Sequence, residues 1–128
     1  MVHSRSAGSR WALGCLLAPG AFALVASPGI AADTFRRLSA EEIRTRIVGR
    51  VITDQSHWSD RFNPDGTLKA VDLGVVKPGT WKLAGNEMCV VRKARLPVTE
   101  CFEIWIRNDE IEYRRDGIVL TAGVLRNE

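Results

Sequence analysis

From residue 50 onward, apolar and polar positions alternate at a period of two, the pattern of strands with one buried face. Residues 51–53 predict a first strand. In residues 57–62, Trp58, Asp60 and Phe62 share one face, with His57, Ser59 and Arg61 on the other. Asn63-Pro64-Asp65-Gly66 carries turn chemistry: Pro presets φ, Asp bonds locally and Gly accepts positive φ. Residues 67–71 return as the partner strand, and residues 73–79 predict a loop closed by Pro78-Gly79. Thr80-Trp81-Lys82-Leu83 alternates again, residues 84–87 turn, and Met88-Cys89-Val90-Val91 runs back. Residues 92–99, with Arg92, Lys93, Arg95 and Pro97, predict a polar loop. Phe102, Ile104 and Ile106 then mark one face of a strand over 101–107, and Asn108-Asp109 is a two-residue turn candidate. Residues 110–114 follow with Ile111 and Tyr113 inward, Asp116-Gly117 turns, and residues 118–121 close the meander, with Val124-Leu125 as an extension.

Ahead of the strands, the period is helical. Ser39 is placed to cap free backbone N–H groups, Glu42 to reach back three residues, and Leu38 and Ile43 to form a hydrophobic staple. Ile43 and Ile47 give a narrow apolar stripe and Gly49 a stop, so a helix near 39–48 is expected. At that length it needs something to pack on.

These elements predict an all-β fold with one short N-terminal helix. Seven to eight antiparallel strands form a meander, as a curled sheet or a small up-and-down barrel. A flat sheet of this size would leave two long edges open. The expected inward set is Trp58, Phe62, Leu68, Trp81, Leu83, Val90, Phe102, Ile104, Ile106, Ile111, Tyr113 and Leu120.

The first thirty-two residues follow a different logic. Arg5 and Arg10 precede an almost uncharged run over 11–26, a Ser27-Pro28-Gly29 breaker and Ala31-Ala32. That order describes a secretory signal peptide over 1–32, cut after Ala32, and points to a periplasmic or secreted protein with no membrane span after cleavage. Little apolar sequence precedes Cys15, whereas a lipoprotein leader carries its apolar region before the cysteine. Removing 32 of the 128 residues leaves 96, one small domain over 33–128. The leader takes two of the eighteen basic residues and none of the fifteen acidic ones, so the remainder sits near +1. An export address and near-neutral charge argue against a nucleic-acid partner.

Cys89 and Cys101 are an even pair in a chain bound for an oxidising compartment, and a disulfide between them is expected. With no C-x-x-C and too few suitable ligands, the pair predicts no metal site.

Leu38-Ser39-Ala40-Glu41-Glu42-Ile43, then F-x-x-D-G-T over 62–67, G-T-W over 79–81 and the cysteine pair together resemble small exported proteobacterial β-domain proteins. The resemblance implies a periplasmic domain of lipocalin-like architecture. The architecture is also similar to that of exported β-barrel inhibitors of lysozyme and proteases.

Catalytic signatures are missing from the sequence: there is no G-x-S-x-G, H-E-x-x-H or phosphate-cradling glycine loop. The predicted domain has a single histidine, His57, on the face opposite Asp60. The expectation is a non-catalytic domain with no cofactor. Two binding modes are open. In one, Trp58, Trp81 and Tyr113 line a barrel mouth that holds a small apolar ligand, although a core this small also needs those aromatics. In the other, an outward Trp105 anchors a protein or envelope partner, helped by the basic residues Arg92, Lys93 and Arg95. Trp105 is equally placed to lie under the Ile43–Ile47 stripe. A secreted enzyme inhibitor is a third possibility.

Overall fold

A long antiparallel meander has two edges to dispose of, and this chain disposes of them by closure. The computed structural model describes residues 3, 8, 14–25 and 34–127. Its strands are β1 (Arg36–Arg37), β2 (Val51–Thr53), β3 (Trp58–Phe62), β4 (Thr67–Asp72), β5 (Val75–Ala84), β6 (Glu87–Arg92), β7 (Thr99–Arg107), β8 (Glu110–Arg115) and β9 (Ile118–Arg126). From β2 to β9 each strand pairs antiparallel with the next, and β9 returns to β2. The result is a closed eight-stranded up-and-down barrel with β1 as an added strand. Registers such as Phe62↔Leu68, Ile104↔Tyr113 and Ile106↔Ile111 set inward residues opposite one another.

One end of the barrel is plugged. β1 runs along β7 beyond the point where β6 stops, and the Leu38 N–H donates to the Ile104 carbonyl at 2.8 Å. The chain then turns into helix α1 (Ala40–Arg46), within the span the sequence predicts. Ser39 Oγ accepts the Glu42 N–H at 3.2 Å and the Glu42 carboxylate reaches back to accept from the Ser39 hydroxyl at 3.5 Å, as expected; the same carboxylate also pairs with Arg36 at 2.6 Å. The side chain of Asn86, in the β5–β6 turn, accepts the Ala40 N–H at 2.9 Å. Gly49, at φ 85°, ends the helical segment and donates its N–H to Phe62 at 2.8 Å. Leu38, Ile43 and Ile47 are fully buried in one cluster with Ile52, Phe62, Met88, Ile104, Ile111 and Leu125. The helix therefore packs into the barrel from the end that carries the β3–β4, β5–β6 and β7–β8 turns.

Two expectations need correction. Residues 73–79 are not a loop: Leu73 and Gly74 make the turn, both at positive φ, and β5 starts at Val75. β5 pairs with β4 over Val75–Thr80 and with β6 over Gly79–Ala84, so Pro78-Gly79 lies where the strand changes neighbours. A Cβ at Gly79 would collide with the Val91 carbonyl oxygen. There Pro and Gly mark a close strand approach, not a chain break. Leu120 is not inward; it is 47% exposed. β8 residues Tyr113 and Arg114 pair with Thr121 and Val119, so Leu120 is the extra residue of a bulge and the alternation shifts there. Trp58, Trp81 and Leu83 are partly buried against the core, and the remaining expected inward residues are buried.

Cys89 and Cys101 form a disulfide between directly opposed positions of β6 and β7, with Cα atoms 4.0 Å apart. The expected cleavage after Ala32 lies outside the described residues. Leu16, Leu17, Phe22 and Leu24 are exposed, so residues 14–25 add nothing to the core. No helix among the described residues is long and apolar enough to cross a membrane.

Candidate functional site: the open barrel mouth

Strand alternation continues to the far end of the barrel, but there the inward positions turn polar. Asp60 on β3, Arg92 on β6 and Tyr113 on β8 all follow the parity of buried neighbours: Phe62, Val90 and Ile111. Across the barrel interior, Arg92 Nη1 and Nη2 donate to the two Asp60 oxygens at 3.2 and 3.3 Å. The Tyr113 hydroxyl donates to Asp60 Oδ2 at 3.2 Å. Asp60 is 3% exposed, and three donors compensate its charge. Burial opposes the charge on Arg92, but the hydrogen bond and charge of Asp60 outweigh it and hold the guanidinium above its ordinary value. Burial, then the Asp60 charge and hydrogen bond, push the Tyr113 hydroxyl well above its ordinary value, so it stays protonated.

Above this floor lies a cavity of about 330 Å³, lined by Trp58, Asp60, Ala70, Arg92, Phe102, Tyr113 and Thr121 together with Asp72, Lys77, Glu100 and Leu120 at its edge. Phe102 stacks on Tyr113 at 4.3 Å between ring centroids, and Trp58 tilts against Tyr113 at 5.8 Å. Trp58 also lies over Gly123, where a Cβ would come within 3.2 Å of the indole ring. Lys77 pairs with Asp72 at 2.8 Å. Three carboxylates and two bases thus face the cavity, with aromatic walls between them.

The sequence candidates separate in space. Trp58 and Tyr113 line the mouth. Trp81 does not: it sits at the plugged end, edge-on to Phe62 at 6.1 Å, with its indole N–H donating to the Asn63 carbonyl at 2.8 Å. β3 starts at the mouth and β5 ends away from it, which puts the two indoles at opposite ends. The basic group splits as well. Arg92 is the last residue of β6 and points inward, whereas Lys93 and Arg95 are exposed on the 93–98 loop. Trp105 lies on the outer wall, not under the helix, whose stripe is inside. It is half-buried, donates its indole N–H to Glu103 at 2.8 Å, and has Arg114 over its ring at 4.3 Å. A partner that uses this ring would first displace Arg114.

His57 pairs with a loop carboxylate. Its Nδ1 lies 2.8 Å from Asp54 Oδ2 in the β2–β3 loop. The backbone N–H groups of Trp58, His57 and Ser56 all donate to Asp54 and hold its carboxyl well below the usual range, with the Trp58 bond the largest influence. Among the described residues, no group of His, Cys, Asp and Glu is gathered for a metal ion.

Arg92 is the residue that sequence reasoning misplaced. It was counted with a polar loop, yet it keeps the even parity of Met88 and Val90. Asp60, the one carboxylate on an inward parity in β3, was the available signal that a base had to meet it.

Comparison with protein-family models, with curated proteins and with solved structures returns no match.

Proposed function

We propose that this chain is an exported binding domain whose open mouth takes a small molecule with an apolar body and a neutral or cationic polar group. The observation that carries the reading is the asymmetry of the barrel: one end is filled by α1, and the other keeps a cavity of about 330 Å³ over a fixed polar floor. That volume is at the lower end of small-molecule sites, which span roughly 300–1,000 Å³. The Asp60–Arg92–Tyr113 network uses two of the five guanidinium N–H donors on Asp60, leaving others to meet a ligand acceptor. Carboxylates outnumber bases around the cavity, and the aromatic walls favour a cationic head. Export rests on the leader pattern over 1–32, and the Cys89–Cys101 disulfide suits an oxidising compartment. The lipocalin-like resemblance fits a carrier of this kind.

Calorimetric titration with decyltrimethylammonium and with decanoate tests the reading. The ammonium probe should bind about tenfold more tightly, the size of a cation–π contribution near 1.4 kcal/mol. Thr121→Trp, which fills the mouth without touching the Asp60–Arg92 pair, should abolish that binding. Absence of binding by either probe, or unchanged affinity in Thr121→Trp, rejects the mouth as a ligand site.

A further inference from the structure

The barrel domain's exposed apolar side chains are not scattered. Within residues 34–127, the large hydrophobics with high exposure all lie at the mouth end, on three of the chain reversals there. The β4–β5 turn carries Leu73, 73% exposed, followed by Val75 and Val76. The 93–98 loop carries Leu96, 82% exposed, and Val98. The β8–β9 hairpin carries Ile118 and Val119 beside the bulged Leu120. Single exposed apolar residues need no explanation, but a ring of them at one end of a barrel does.

We propose that this rim docks on the surface of an anionic lipid bilayer, with the mouth facing the lipid. Two observations select lipid over a protein face. First, the hairpin tips are apolar on both sides. Ile118 and Val119 are consecutive strand residues and so project to opposite faces, as do Val75 and Val76. A ribbon laid on a protein buries one face, whereas end-on entry into an acyl boundary buries both. Second, the apolar pair on the 93–98 loop is preceded by Lys93 and Arg95, both exposed and neither paired with a carboxylate among the described residues. Basic residues beside apolar ones are complementary to anionic headgroups. The outer edge of β5 near Val75 and Val76 pairs only with β4, so its free backbone groups limit entry to the headgroup boundary, where water still reaches them. The docking is independent of whether the mouth holds a ligand.

Co-sedimentation of the full chain with phosphatidylcholine vesicles, with and without phosphatidylglycerol, tests the proposal. The exposed apolar residues in 14–25 could bind vesicles by themselves, so each rim variant is made both in the natural chain and with Leu17→Glu/Phe22→Glu. In the second background, the chain should still sediment with phosphatidylglycerol vesicles. Leu96→Glu/Ile118→Glu should reduce that partition at least tenfold, and Lys93→Gln/Arg95→Gln should erase the preference for phosphatidylglycerol. Thermal melts should be unchanged, because these side chains are exposed. Leu96→Trp supplies a reading without added charge: lipids brominated on the acyl chain should quench the new emission. Equal partition of the rim-charged and unmodified rims, or no quenching of Leu96→Trp, overturns the proposal. A chain that ignores vesicles but self-associates through the rim also overturns it and makes the face a protein contact.

Discussion

The two ends of the barrel use the same strands and the same alternation, yet they solve opposite problems. At the plugged end, inward positions are Phe62, Leu68, Met88, Ile106 and Ile111, and the helical segment adds Ile43 and Ile47, all of them buried. The reversals there are short, and one of them, at Asn86, doubles as a helix cap. At the mouth, the inward positions include Asp60, Arg92 and Tyr113 between the Trp58 and Phe102 rings, and large aliphatic side chains stand exposed on the tips. The first end gains stability by excluding water. The second gives up that burial and keeps a shaped, polar-floored opening. The proposed ligand site lies at the end where the core stops and the alternation no longer serves burial.

The largest test of this contrast removes a side chain from the plugged end. Phe62→Ala should cost about 3 to 5 kcal/mol, the usual loss for a buried aromatic. Phe62 is fully buried and meets Trp81 edge-on, so the site has little room to collapse. Val119→Ala at the rim should stay within about 0.5 kcal/mol, as exposed substitutions do. Paired urea melts measure both. Similar losses at the two positions would show that the rim is packed and that the ends do not divide labour.

The disulfide comes next. It bridges β6 and β7 and closes a segment of sequence separation 12 that includes the long mouth loop. In the chain-entropy account a bridge of this span contributes about 3 kcal/mol. Cys89→Ala/Cys101→Ala should lower stability by that amount, and reduction of the unmodified chain should lower it equally. If reduction costs nothing, the barrel holds the mouth loop without the bond and the open end is stiffer than the contrast requires.

Much of this was legible before any coordinates. The meander, the helix cap at Ser39 and the Cys89–Cys101 pairing follow from local chemistry and parity, because a strand buried on one face permits one register. Closure is legible only by elimination of edges, and the plug is legible only as a helix that needs a partner. What escaped has specific physical causes. Pro78-Gly79 is a pair that breaks most strands, but here it serves where β5 passes from β4 to β6. The bulge at Leu120 reverses parity without a sequence mark. Asp60 pairs with Arg92 across the barrel at a separation of 32 residues, a distance at which periodicity carries no information. Trp81 and Trp58 share a residue type and both pack against the core, but which end of the barrel each occupies depends on strand direction.

A smaller loss than that of the disulfide tests the polar floor itself. Tyr113→Phe removes one of the three donors to Asp60 and leaves the two from Arg92, so at neutral pH it should cost about 1 kcal/mol. Its pH dependence is more diagnostic than its size. In the fold, the Tyr113 hydroxyl titrates well above the ordinary value of 10.0, so the folded state holds the proton more tightly than the unfolded chain. The stabilisation linked to that proton is fully present below pH 10.0 and is lost as pH rises toward the folded value. Unmodified protein should therefore weaken on the alkaline side more steeply than Tyr113→Phe, and the gap between them should narrow as pH rises. The chain has one tyrosine, so tyrosinate absorbance reports this group alone. In folded protein the absorbance should stay flat through pH 10 and appear only as the barrel opens. Tyrosinate formation near pH 10 with the circular dichroism intact would mean that water reaches the hydroxyl. The floor of the mouth would then be no more closed than its rim, and the contrast between the ends would rest on the helix alone.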